Sequence, residues 1–65
     1  MSDNSKKALI EWVNEVLKGA KKHVDVEMLK RIAFDAIEEG YWRGDISDMW
    51  RKRGVTIRDL PRLYV

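Results

Sequence analysis

The chain contains no cysteine, one proline and one histidine in 65 residues, and its apolar residues never run beyond three in a row, as at Ala8-Leu9-Ile10. Without cysteine there is no disulfide to staple the fold and no thiolate to hold a metal. Apolar runs this short exclude a transmembrane helix and the apolar region of a signal peptide. The default expectation is therefore a soluble, intracellular (cytoplasmic) protein with no membrane partner. No stretch alternates apolar and polar residues long enough to suggest a strand. The lone histidine, His23, lies in a polar connection beside Lys21 and Lys22, with no second histidine at ligand spacing. No glycine-rich phosphate loop is present, and no serine sits in a strained strand-to-helix turn. Glu38 and Glu39 are adjacent, so on a helix they point about 100° apart and cannot work on one substrate. Neither catalysis, nor a metal site, nor a cofactor is expected.

What remains is a small, charged chain with enough apolar residues for one thin core. Apolar residues make up 45% and charged residues 37% of the sequence. Ordering a chain of this length costs roughly 1.5 kcal/mol per residue, about 100 kcal/mol in all, and burial offsets this only narrowly. Stability must come from well-packed helices or from a partner. The sequence shows no repeat and no linker, so residues 1–65 are expected to form a single domain, with residues 1–4 frayed.

Helical spacing recurs along the chain. A first helix is expected over about Ser5–Lys18, capped at Ser2 or Ser5, with Leu9, Trp12, Val13, Val16, Leu17 and Ala20 on one stripe and Gly19 to stop it. Ile10 falls off that stripe, either as a shoulder contact or exposed. A second should open at Asp25, whose carboxylate can accept first-turn amides, and bury Leu29, Ile32, Ala33, Ala36 and Ile37, with Met28 and Phe34 as flanks. Its end has two candidate stops, Gly40 as a left-handed cap or, if the helix tolerates Gly40, Gly44; an end between Gly40 and Arg43 is expected, because Tyr41 continues the stripe from Ile37. Glu27 with Arg31, and Arg31 with Asp35, are one turn apart and can pair on its wet face. A third, short helix is expected over about Ile46–Arg53, capped by Asp45, closed by Gly54 and burying Ile46, Met49 and Trp50. A fourth, shorter still, comes after Thr56, with Asp59 three residues on in a capping-box-like arrangement and Ile57, Leu60 and Tyr64 on one face. Pro61 limits that last element to a single turn or a partly 3₁₀ form. The expected architecture is an all-α compact bundle of three to four helices, two longer antiparallel ones followed by two short turn-linked ones.

Charge is unevenly placed. The first 40 residues carry 7 Lys and Arg against 8 Asp and Glu, whereas the last 25 carry 6 against 3. Five of the six arginines lie between Arg43 and Arg62. Arg58 and Arg62 are four apart and would share a helix face, with Arg51 and Lys52 on the preceding helix. Such a cluster can neutralise several phosphates. The alternative is that Arg51, Arg53 and Arg58 pair with Asp48, Asp59 or the acidic residues of the second helix.

Residues 45–64 resemble a helix-turn-helix of the repressor kind. Met49, Gly54, Val55, Thr56 and Leu60 fit the pattern, with a capping residue nine before the turn glycine. Trp50 departs from it, since the motif wants a small residue where its helices cross. Arg53 stands where an apolar residue is usual, and Pro61 falls inside the would-be recognition helix. The resemblance implies a small regulatory DNA-binding protein that places Thr56–Tyr64 in the major groove, with Arg51, Lys52, Thr56, Arg58 and Arg62 on the nucleic acid. The competing expectation is a protein-interaction or homodimerisation module centred on Tyr41, Trp42 and Arg43, residue types enriched at binding hot spots. Tyr41 and Trp42 cannot both enter one core, so one of them should be exposed. Arg43-Gly44-Asp45 also spells the integrin-recognised tripeptide, but three residues carry almost no specificity, and a turn glycine followed by an N-cap aspartate explains them fully.

Overall fold

A computed structural model describes residues 3–60 of the chain. Three α-helices occur in order, α1 (Asp3–Lys18), α2 (Val26–Glu39) and α3 (Arg43–Lys52), and a 3₁₀ helix, Ile57–Asp59, comes after them. The described residues are all-helical, with three α-helices and no strand; in place of the expected short fourth helix they hold one 3₁₀ turn.

Helix α1 is already formed at Asp3, two residues ahead of the expected start, so Ser5 lies inside it and is not its cap. Ser2 lies outside the described residues. Leu9, Val13, Val16 and Leu17 are buried as the stripe requires, with Trp12 and Ala20 half-buried beside them. Ile10 is exposed.

Helix α2 opens as expected. Asp25 has extended backbone and accepts a 3.1 Å hydrogen bond from the Met28 amide. Leu29, Ala33, Ala36 and Ile37 are buried, and Val24, in the loop before the helix, joins them. The two surface pairs expected on this helix, Glu27 with Arg31 and Arg31 with Asp35, are not among the ion pairs of the described residues.

The end of α2 falls at the earlier of its two candidate stops, short of the favoured span between Gly40 and Arg43. It stops at Glu39, where Gly40 turns left-handed at φ 96°. The Gly40 amide donates to the Ile37 carbonyl at 3.1 Å and the Tyr41 amide to the Ala36 carbonyl at 2.9 Å. That pair of bonds satisfies carbonyls that the helix end would otherwise orphan. The glycine stop thus outweighs the apolar spacing that pointed onward to Tyr41.

Helix α3 also starts earlier than expected. Trp42, extended at φ −107° and ψ 176°, stands at the N-cap position, and Asp45 is the third helical residue. The Asp45 carboxylate accepts from the Trp42 amide at 3.1 Å. An acidic residue three positions into a helix can reach back to the entry amide just as one at the cap reaches forward, so the same aspartate fits either start. The far end closes as expected at Gly54, whose φ is +86°, with Gly54 donating to Arg51 and Val55 to Trp50.

The core lies where the three helices meet. Ile46 is fully buried and Trp50 is 2% exposed. The Trp50 ring stacks on Trp12 of α1 with centroids 5.8 Å apart and planes 13° apart, and its Nε1–H donates to the Leu29 carbonyl of α2 at 3.2 Å. Lys6 of α1 pairs with Glu38 of α2 at 3.6 Å, which sets the start of α1 beside the end of α2. No buried side-chain polar atom among the described residues lacks a partner.

Candidate functional site

Two surfaces at opposite ends of the bundle carry the residues singled out by sequence. The first is the link from α2 to α3. Only Gly40, Tyr41 and Trp42 separate the helices, and backbone bonds pin them on both sides: Tyr41 to Ala36, and the Ile46 amide to the Trp42 carbonyl at 3.0 Å. On this tight link both aromatic side chains point outward, Tyr41 at 41% and Trp42 at 56% exposure. The expectation that only one would be exposed fails because α2 ends before Tyr41, so helical spacing no longer governs where that ring goes. Arg43 lies back over the Trp12 ring, its guanidinium carbon 5.6 Å from the centroid, a cation–π geometry. Arg43-Gly44-Asp45 forms the first turn of α3 rather than a projecting loop.

The second surface is the opposite end. Arg51 pairs with Asp48 at 2.9 Å, one turn away. Lys52, Arg53 and Arg58 are exposed and make no ion pair among the described residues. Of the pairings expected for Arg51, Arg53 and Arg58, only the first forms. Thr56 is engaged by Asp59: its amide donates to the carboxylate at 3.2 Å and its hydroxyl at 3.0 Å. The capping-box-like pairing is therefore present, but it holds one 3₁₀ turn, Ile57–Asp59. Pro61, Arg62 and Tyr64 lie outside the described residues, so the recognition helix expected over Thr56–Tyr64 is represented by that turn alone.

Sequence reasoning did not foresee the tie that places this turn. The Lys21 amide donates to the Asp59 carbonyl at 3.2 Å, and His23 Nε2 meets Asp59 Oδ1 at 2.9 Å. His23 is thus a structural partner of Asp59. No local signal announces a contact between residues so far apart in the chain.

The Asp59 carboxyl is held below its ordinary value of 3.8, first by the Thr56 backbone amide and further by the Thr56 hydroxyl and by His23, against a smaller opposing effect of desolvation. A carboxyl with a lower pKa folded than free stabilises the fold above its free value, and loses that contribution as pH falls through the folded value. Asp59→Ala should therefore lower the melting temperature at neutral pH. The gap to the parent should close on acidification below pH 3.8. Thermal melts by circular dichroism at a series of pH values check this; a gap that stays constant into acid would mean that the charge on Asp59 does not matter.

Among the described residues no group of three or more His, Asp or Glu is placed to hold a metal ion, and no helix is long and apolar enough to cross a membrane. Compared with known proteins, the chain matches no family model, no curated protein and no solved structure.

Proposed function

We propose that the chain is a protein-interaction module whose contact surface is the Tyr41–Trp42 link, with homodimerisation its simplest form. The observation that carries this reading is Trp42, the most exposed large apolar side chain among the described residues, on a backbone fixed from both sides. A large aromatic usually gains by burial. Held on a pinned link, it can enter a partner's pocket with little ordering cost, which is how anchor residues gain affinity. Arg43 does not reach out as a third contact. Lying on Trp12, it ties the start of α3 to α1 and so steadies the platform behind Trp42. A twofold pairing of this patch would set Tyr41 and Trp42 against their own copies, a self-complementary contact that symmetric dimers require.

Trp42→Ala should change the stability of the monomer by under about 1 kcal/mol, since the ring leaves no cavity behind. It should also weaken self-association by about tenfold or more, as removal of an anchor does. Sedimentation velocity of parent and variant over a wide concentration range measures both states directly. A parent that remains monomeric throughout that range sinks the homodimer form of the proposal.

A further inference from the structure

The tie between Lys21 and Asp59 has an electrostatic consequence at the end of the bundle away from Trp42. It draws the α1–α2 connection, which carries Lys21 and Lys22, against the 3₁₀ turn that carries Arg58. Lys18, the last residue of α1, enters the same connection, and Lys52 and Arg53 close α3, whose Trp50 is bonded to the first turn of α2. All six cationic side chains are exposed.

The nearby carboxylates Asp25, Glu27 and Asp59 offset only part of this charge, three negative groups against the six positive ones, which leaves a balance of +3. Asp59 is held by Thr56 and His23, and Asp25 by the Met28 amide, so neither is ion-paired with any of the six. Helix dipoles account for Lys18 and Lys52, since cations are favoured in a last turn. They do not account for Lys21, Lys22 or Arg58, which lie outside the α-helices and are gathered only by the tertiary contact.

We infer that this end, built on Lys21, Lys22 and Arg58 and flanked by Lys18, Lys52 and Arg53, binds the phosphate backbone of a nucleic-acid duplex. The inference does not rest on the Tyr41–Trp42 surface. It also differs from groove reading by a C-terminal helix, because the contacts come from a loop, a 3₁₀ turn and two helix ends.

Three observations select a duplex over other polyanions. The two shorter dimensions of the molecule are 21 and 18 Å. With one duplex charge per ~1.7 Å of axis, both strands counted, a face that wide runs along a length of duplex carrying about a dozen phosphates, so that those on the near side can engage separated cations together. Single strands are held largely by base stacking on aromatic rings. The exposed aromatics among the described residues, Tyr41 and Trp42, are at the other end. A membrane surface would demand an apolar face beside the charge. Of the four large apolar side chains exposed among the described residues, only Met28 belongs to this end.

Fluorescence anisotropy with a labelled mixed-sequence duplex of about 20 base pairs, read over a series of salt concentrations, tests the inference through its salt slope. The parent should bind the duplex at low salt, more tightly than the matching single strand or vesicles of mixed phosphatidylcholine and phosphatidylserine. K21Q combined with R58Q should reduce the slope by about two units, one for each lost phosphate contact. K7Q combined with R31Q removes the same net charge from exposed positions outside the cluster and should leave the slope unchanged. K21R combined with R58K should restore the parental slope, which separates charge from folding. The inference is overturned by absence of duplex binding at low salt, by equal loss of slope in both glutamine pairs, or by tighter binding to the single strand or the vesicles.

Discussion

Trp50→Ala should cost roughly 3–5 kcal/mol, the range for emptying a buried aromatic site. For a chain of this length total stability is on the order of 3–10 kcal/mol, so the variant should be largely unfolded or close to it. The magnitude comes from the contacts of the ring. It is 2% exposed, stacks on Trp12 of α1 and donates its Nε1–H to Leu29 of α2. One side chain therefore joins α3 to both longer helices, and its loss leaves a cavity at the place where all three meet. Trp50→Phe keeps part of the ring contact and gives up the hydrogen bond, so it should fall between parent and alanine. Urea melts of the three proteins give the order directly. An alanine variant that melts with the parent would show that α3 is not docked through this residue.

Trp50 also explains how far the sequence could be read. It is the misfit in the helix-turn-helix pattern over residues 45–64, where a small residue is wanted at the helix crossing. The structure gives the physical reason: the ring packs backward onto α1 and α2, and past Gly54 the only helical element among the described residues is a 3₁₀ turn. The stripes of α1 and α2 were legible because a run of several turns repeats its spacing often enough to fix a face. Asp25 and Gly54 were legible because each leaves its partner groups within a few residues. The ends at Glu39 and Arg43 were not, since two local signals competed at each and only one could win. Tyr41 fitted a continuing stripe while Gly40 fitted a stop; Asp45 fitted both a cap and a third helical position. The His23–Asp59 contact was beyond reach for a different reason: it exists only once the bundle has brought the α1–α2 connection beside the 3₁₀ turn. The candidate sites divide along the same line. Trp42 could be suspected from sequence as a spare aromatic. The basic end depends on Lys21 and Lys22 joining Arg58, which no spacing along the chain reveals.

The competition at the α2–α3 link leads to a pair of substitutions with opposite expected signs. Gly40 and Gly44 lie four residues apart, and a methyl group built on either meets no atom within 4 Å. Space therefore does not distinguish them, and backbone conformation does. Gly40 is left-handed at φ +96°, where a Cβ crowds its own carbonyl. Gly40→Ala should cost about 1–2 kcal/mol, the penalty for an L-residue in that region. Gly44 is the second residue of α3 and lies outside the left-handed region. Alanine there loses less backbone freedom on folding, so Gly44→Ala should stabilise by about 0.4–1 kcal/mol. The two variants share one chemical change and nearly one location, so a general effect of added apolar surface would move both melts in the same direction. Opposite shifts in urea midpoint are expected, with the slope of the transition unchanged. If Gly40→Ala is neutral, the left-handed stop is not what ends α2, and the helix can continue toward Tyr41. In that event Tyr41 would turn with the helix toward the core side, and the paired exposure of Tyr41 and Trp42 that supports the interaction surface would be lost.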